Sequence, residues 1–218
     1  MPSDSLLPKP PVADSATLGF MRDWSKLLRI VLLAAPLCSA AVYTISPAPQ
    51  AEFKLEVHKT GLMSGKVHIF TFERYGGSVN YQPDAPGKST VAFEIEAASV
   101  VCRDTWIGDK DKQKVTAMAL EMMESEKHPR LKFVSQSVAP RGQAEFDVKG
   151  ALTIKGITKP VTVRVTVQPE GGALRVRGNA IVLRKDYGIN PRAAVPFGLI
   201  GNKEEMPVTF NLFATPAK

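Results

Sequence analysis

Cysteine is nearly absent: the 218-residue chain has two, Cys38 and Cys102. Cys38 falls in an N-terminal leader, so the folded part keeps one thiol and cannot close an internal disulfide. Nothing beside Cys102 except Arg103 favours a thiolate, which makes it a partly buried bystander and not a nucleophile. Histidine is as scarce, with only His58, His68 and His128. No two of them stand at metal spacing on a helix, and no second thiolate joins Cys102. His58 and His68 facing each other across a hairpin would be one weak metal arrangement, outweighed by the reading of both as polar residues on an outer strand face. Aromatic residues make up only 7%. A basic stripe of Arg164, Arg175, Arg177, Arg184 and Lys185 therefore lacks the interleaved Tyr and Trp platforms of a single-strand binder. No nucleic-acid partner is expected.

Catalytic signatures are missing too. "PGKST" resembles the end of a phosphate-binding loop, but the required Gly five residues before Gly87 is Gln82, and no helix follows. Gly61-Leu-Met-Ser64-Gly65 is one residue short of a nucleophile elbow. No catalytic residue, metal or cofactor is assigned.

The uncharged run from Ile30 to Ile45 is shorter than the ~20 residues a spanning helix needs, and Pro36 interrupts it. Arg22, Lys26 and Arg29 precede this run, and Ser39, Ala40 and Ala41 follow it. That order is a cleaved secretory signal, favoured over a retained membrane anchor. Pro36 and Leu37 before Cys38 do not fit a lipoprotein signal. Met21, just ahead of the basic residues, is the expected true start. The resulting division is a disordered extension plus signal over 1–41, a linker over 42–51 and a folded domain over 52–218, in the periplasm or secreted.

What is present is alternation. "EFKLEV", "STVAFEIEAASV" and "VKGALTIKGITKPVTVRV" place apolar residues at every second position, as a strand with one buried face requires. About nine such segments are separated by turns rich in Pro, Asp and Gly. One stretch departs, "DKDKQKVTAMALEMMESEKHP", where Val115, Met118 and Met122 recur at helical intervals. It predicts a single short helix stopping at His128-Pro129, its Met stripe packing against the sheet in preference to lining a soft binding surface. The fold class is all-β: the pattern fits an antiparallel sandwich or an up-and-down barrel, and the short links favour the barrel, of about eight strands with one short helix.

"VKGALTIKGITKPVTVRV", "HPRLKF", "RKDYGI" and "FTFERYGGSVNY" occur in the order and spacing of the YceI-like proteins, which this chain resembles from about Phe53 to Ala214. The loop "NPRAAVPFGLIGNKEE" is more apolar, and the hairpin "HKTGLMSGKVH" shorter, than the family pattern. The resemblance implies an exported, lipocalin-like barrel that holds a polyisoprenoid or other long-chain lipid in an internal tunnel. The expected tunnel lining is Phe53, Leu55, Phe70, Phe72, Phe93, Ile95, Leu131, Phe133, Phe146, Val148, Leu152, Ile154, Val163, Val176, Phe210 and Leu212. Small residues in those rows, Ala97, Ser135, Gly150, Gly178 and Ala180, either leave room along the axis or merely accommodate Phe. Val195, Phe197, Leu199 and Ile200 are placed at the mouth, as a lid or membrane contact or, more favoured, as a loop folded back to plug the barrel end. Arg184 near the rim is read as a structural ion pair or hydrogen bond ahead of a contact to a lipid head. The net charge of +7 favours transient contact with an anionic membrane surface. A homodimer is compatible with the sequence. Two other readings stay open: an enzyme acting on a small hydrophobic substrate, with His58, His68 or Asp147 as acid–base groups, and a ligand-free structural or stress-response protein.

Overall fold

The alternating segments become twelve strands of one antiparallel sheet in the computed structural model, which describes residues 41–190 and 199–217. Three pairs of strands are broken halves of one wall. β1 (Ala41–Ile45) and β2 (Glu52–Gly61) lie in line along β12 (Glu205–Pro216), with Thr44 opposite Thr215 and Phe53 opposite Phe210. β3 (Val67–Phe72) and β4 (Tyr75–Tyr81) run back against them, and β5 (Thr90–Glu96) leads through a single 3₁₀ turn into β6 (Val100–Cys102). With β7 (Arg130–Pro140), β8 (Glu145–Ile154), β9 (Ile157–Glu170) and β10 (Ala173–Leu183), these form eight walls. The ring closes where β12 meets β1 and β2. Closure satisfies the backbone groups that an open sheet would leave at its two edges. β11 (Ile200–Asn202) extends the line of β12 along β2.

Two boundaries differ from the sequence expectation. The linker assigned to 42–51 is a strand over its first part, because β1 pairs with both β4 and β12. Pro47 and Pro49, which cannot donate to a ladder, break the wall just beyond it. The helix α1 spans Asp109–Met123 and ends before His128. Glu124 adopts a left-handed conformation (φ 49°), and its N–H donates to the carbonyls of Leu120 and Glu121, terminating the helix without proline. Asp109 and Asp111 occupy its first turn, where the helix dipole favours negative charge. The N-terminal extension and leader, and the loop residues Val195 and Phe197, lie outside the described residues.

The β8–β9 hairpin shows how local sequence sets register. Lys155 and Gly156 take φ of 52° and 73°, the two-residue turn whose twist suits paired strands. Ile154 then pairs with Ile157, and Gly150 with Val161, a register that turns Ile154, Val161, Val163 and Val165 inward while Ile157 at the turn stays exposed.

Because the walls alternate in direction, the connections fall into two sets. The β2–β3 turn, α1 and the β8–β9 turn share one end, the helix end, with β11. The β4–β5, β7–β8 and β9–β10 turns share the other, the turn end. Near the helix end a 3₁₀ turn, Arg184–Tyr187, buries Tyr187 to 1% exposure against Ile154, Val182, Met206 and Val208. Its hydroxyl has no hydrogen-bond partner, and burial, aided by the charge of Asp186, pushes its pKa up to about 12. A raised pKa on an acid means the folded state holds its proton more tightly. That stability term is present below the ordinary value near 10 and is lost as pH climbs toward 12. Tyr187→Phe removes an unpaired buried hydroxyl, so it should raise stability at pH 7 by about 1 kcal/mol. It should also flatten part of the alkaline loss, the remainder belonging to Tyr75 and Tyr81, which burial raises too. Urea midpoints at pH 7 and 11 measure both. A variant weakened at pH 7 would show that the hydroxyl does have a partner.

Candidate functional site

The inner faces do not meet. They enclose a cavity of about 430 Å³ that reaches from Lys59, Met118 and Asn202 at the helix end to Tyr81, Pro86 and Ser89 at the turn end. This is the size of an ordinary small-molecule site. The structure sets all sixteen residues expected in a tunnel wall around this space, from Phe53 and Leu55 on β2 to Phe210 and Leu212 on β12. Between them run Phe70 and Phe72 (β3), Phe93 and Ile95 (β5), Leu131 and Phe133 (β7), Phe146, Val148, Leu152 and Ile154 (β8), Val163 (β9) and Val176 (β10). Their alternation with outward polar residues makes this placement a consequence of the pleat.

The glycines in these rows do not open the axis. A Cβ on Gly150 would sit 2.5 Å from the Phe133 ring and 2.5 Å from the Val134 carbonyl. One on Gly178 would sit 2.4 Å from the Phe210 ring, which lies directly across the strand pair. Each glycine is a seat for a cross-strand ring lying against the wall, the arrangement by which aromatic side chains cover bare backbone. Phe53 gathers four rings about it, stacking on Phe210 at 5.9 Å and 2° and on Phe93 at 5.7 Å, with Phe72 edge-on at 6.0 Å and Tyr75 tilted at 6.5 Å. The rings thicken the wall and leave the lumen open.

The methionine stripe of α1, read from sequence as packing in preference to a binding surface, does both. Val115, Met118, Ala119, Met122 and Met123 face the cavity, so the helix supplies a pliable thioether surface at one end of it and not only packing against the sheet. The helical period of the methionines was visible in sequence, but the end of the barrel that it covers was not.

Six of the side chains that line the cavity, among the described residues, are polar: Lys59, His68, Tyr81, Ser89, Lys132 and Asn202. Lys132 turns its ammonium outward to Glu94 at 3.1 Å, and Ser89 Oγ accepts the Gln82 N–H at the turn end. The other cluster lies at the helix end. Val57 opposes His68, while His58 opposes Val67. The two histidines are therefore on opposite faces of the hairpin and do not confront each other. His68 faces inward, contrary to the outer-face expectation, and His58 reaches Glu56 at 3.2 Å.

His68 Nδ1 is 2.5 Å from Asp104 Oδ2, and Asp104 Oδ1 accepts the Ile69 N–H at 2.7 Å. Asp104 is 1% exposed. With a carboxylate accepting at Nδ1, the ring keeps its proton there and leaves Nε2 for other partners. Trp106 packs on the imidazole at 5.3 Å and donates its indole N–H to the Val67 carbonyl. The ligand atoms of His68, Cys102 and Asp104 lie within 4.8 Å of one another. The Asp104 oxygens already serve His68 and Ile69, and burial raises the Cys102 thiol pKa, so the trio reads as a hydrogen-bonded brace under α1. Cys102 also donates its own N–H to Thr116 of the helix.

The remaining candidates sit outside the lumen. Asp147 pairs with Arg141 at 3.4 Å and with Arg164 at 3.8 Å. Arg184, placed at the mouth in sequence, is held structurally: it donates to the carbonyls of Ile189 and Lys203 and lies 3.6 Å from Glu204. Arg175 pairs with Glu170, and Arg177 donates to Gln168, so the basic stripe is largely a paired outer face. Ile200 is in β11, and Leu199 is 50% exposed beside it, its carbonyl accepting from Leu62.

The profile of the YceI-like domain matches residues 43–214. A UPF0312 protein of Pseudomonas putida KT2440 is 32% identical over 168 residues, covering 74% of this chain and 83% of its own length. A UPF0312 protein of Pseudomonas syringae pv. tomato is 29% identical over 175 residues, with the same coverage. Among solved structures, Burkholderia cenocepacia BcnA superimposes with a TM-score of 0.61 at 22% identity, covering 75% of this chain and 96% of that one. A polyisoprenoid binding domain from Saccharophagus degradans, implicated in plant cell wall breakdown, superimposes with a TM-score of 0.58 at 13% identity, covering 82% and 100%. At these identities the structural likeness speaks for the barrel.

Proposed function

Because the chain belongs to the YceI-like family, we propose that it binds a long isoprenoid or fatty chain in its lumen, without chemistry on it, and carries or sequesters that lipid in the periplasm. The observation that carries this reading is the cavity of about 430 Å³ whose wall is apolar except at its two ends. Burying an alkyl chain there gains about 0.8 kcal/mol per methylene, with no need for a catalytic group. The polyisoprenoid binding domain that shares the fold supports the choice of ligand class. The basic–apolar–small order of the leader supports export.

Delivery to a bilayer follows from the helix end. Leu62 is 78% exposed and Leu199 50%, and they are joined by a backbone hydrogen bond. Two exposed leucines beside the cavity, on a chain with a pI of about 9.4, suit brief contact with an anionic membrane. For an enzyme acting in the lumen, only His68 of the three acid–base candidates remains in place.

Organic extraction of the purified full chain, followed by mass spectrometry, tests the proposal. A prenyl or acyl lipid near one per chain is the expected result. Protein that carries none, and takes up none from an isoprenoid alcohol in detergent, overturns it.

A further inference from the structure

The inward rows of β2 and β3 change character at the helix end. On β2 the row reads Phe53, Leu55, Val57 and then Lys59; on β3 it reads Phe72, Phe70 and then His68. Asn202 of β11 stands directly across from Lys59. His68 is the diagonal neighbour on the other side, since Val57 opposes His68. Opposed and diagonal positions on one sheet face lie within reach of long side chains. All three residues line the cavity.

Each presents a group that no described residue satisfies. Lys59 has no ion pair or hydrogen bond to its ammonium among the described residues. Burial pulls its pKa below the ordinary value, with the charge of Asp104 acting the other way. Asn202 Oδ1 is buried without a hydrogen-bond partner, and its amide can present either an acceptor or two donors. His68 has its Nδ1 held by Asp104, which leaves Nε2 open. Residues 191–198, outside the described set, contain no Asp or Glu. A half-buried ammonium beside two unsatisfied polar groups at the mouth of an apolar space is costly unless something pairs with it.

We propose that Lys59 and Asn202, with His68 beside them, form a head-group site for a single-chain lipid ending in an anionic oxygen group, a phosphate monoester or a carboxylate. The inference rests on the lipid-binding reading above and adds the polarity and direction of the ligand. The tail lies along the ring-lined lumen toward Tyr81 and Ser89. The head stays at the helix end, where the Lys59 ammonium donates to its oxygens and the Asn202 amide supplies a further N–H. Charge-assisted bonds of this kind are about twice as strong as neutral ones. They discriminate between lipids whose tails bind equally well.

The probes are dodecyl phosphate, dodecanol and inorganic phosphate, titrated into delipidated full-length protein. Dodecyl phosphate should bind about tenfold tighter than dodecanol, as one charge-assisted bond predicts. Inorganic phosphate alone should show no comparable affinity. Lys59→Met, which keeps the stem and removes the charge, should bring the ratio of the two lipid affinities toward one. Lys59→Arg should preserve it, and Asn202→Leu should lower it partway. A wild-type ratio near one, with dodecanol bound, overturns the head-group site and leaves the tunnel standing. Inorganic phosphate binding as tightly as dodecyl phosphate overturns it in favour of a free-anion site. Wild-type protein that binds neither lipid removes the tunnel reading, and this inference with it.

Discussion

Val163→Trp is expected to cut lipid binding more than a hundredfold while leaving the barrel as stable as before. Val163 is on β9, opposite Val148, with its side chain on the lumen. An indole there takes room that a bound chain would fill. If it denies the ligand about four methylenes, the loss is about 3 kcal/mol at ~0.8 kcal/mol each, or roughly two orders of magnitude in affinity. A substitution into a filled core costs about 1–3 kcal/mol through overpacking. Here the ring enters existing space, so the urea midpoint should stay level or rise. Thr162→Trp is the control, one residue away on the exposed face of the same strand, and should bind lipid as wild type does. Isothermal titration with a long-chain isoprenoid alcohol reads the affinities. Normal binding by Val163→Trp would show that the ligand lies elsewhere; a strongly destabilised variant would show that the lumen is packed.

Asp104→Ala should lower stability by about 3–5 kcal/mol, since each buried donor left without its acceptor costs about 1–3 kcal/mol. Two donors lose their acceptor together, His68 Nδ1 and the Ile69 N–H, and no water can reach a side chain 1% exposed without local opening. For a folded domain of this size such a loss corresponds to a fall in Tm of about 10 °C or more. Asp104→Asn should cost less, because the amide oxygen can still serve Ile69 while its NH₂ forces His68 to surrender the Nδ1 proton. Calorimetry of the two variants gives the ordering. An alanine variant within about 1 kcal/mol of wild type would mean that the brace is not needed to hold the strand against the segment that leads into α1. Because that segment sets the helix over the lumen, Asp104→Ala should also loosen the methionine-lined end, seen as faster amide exchange in α1.

These two residues differ in how far the sequence announced them. Val163 stands in an alternating run, and the period-two pattern alone puts it on the same face as Val161 and Val165. Asp104 follows Cys102 and Arg103 with no pattern around it. Its partner His68 is 36 residues away, joined only when β3 pairs with β6. The inward direction of His68 and Lys59 was present in sequence as parity: each continues a row that begins with Phe or Leu. Residue type obscured it, because a cation or an imidazole at the end of an apolar row reads as the strand emerging into solvent. β1 was obscured for a related reason. Five residues beside a Pro-rich break look like a linker until a closing strand needs partners on both sides.

Local alternation determined that the chain would be all-β and which strand residues would face the enclosed side. A strand must send successive side chains to opposite faces, and a greasy face must be enclosed. Tertiary structure decided whether the enclosed axis would be full or empty, since that depends on eight walls meeting at one radius. The outcome was set by the Phe133 and Phe210 rings seating their tips against Gly150 and Gly178, when the same residues pointed to the centre would have closed the lumen. It also decided which end is polar, because strand pairing alone places Lys59, His68 and Asn202 side by side.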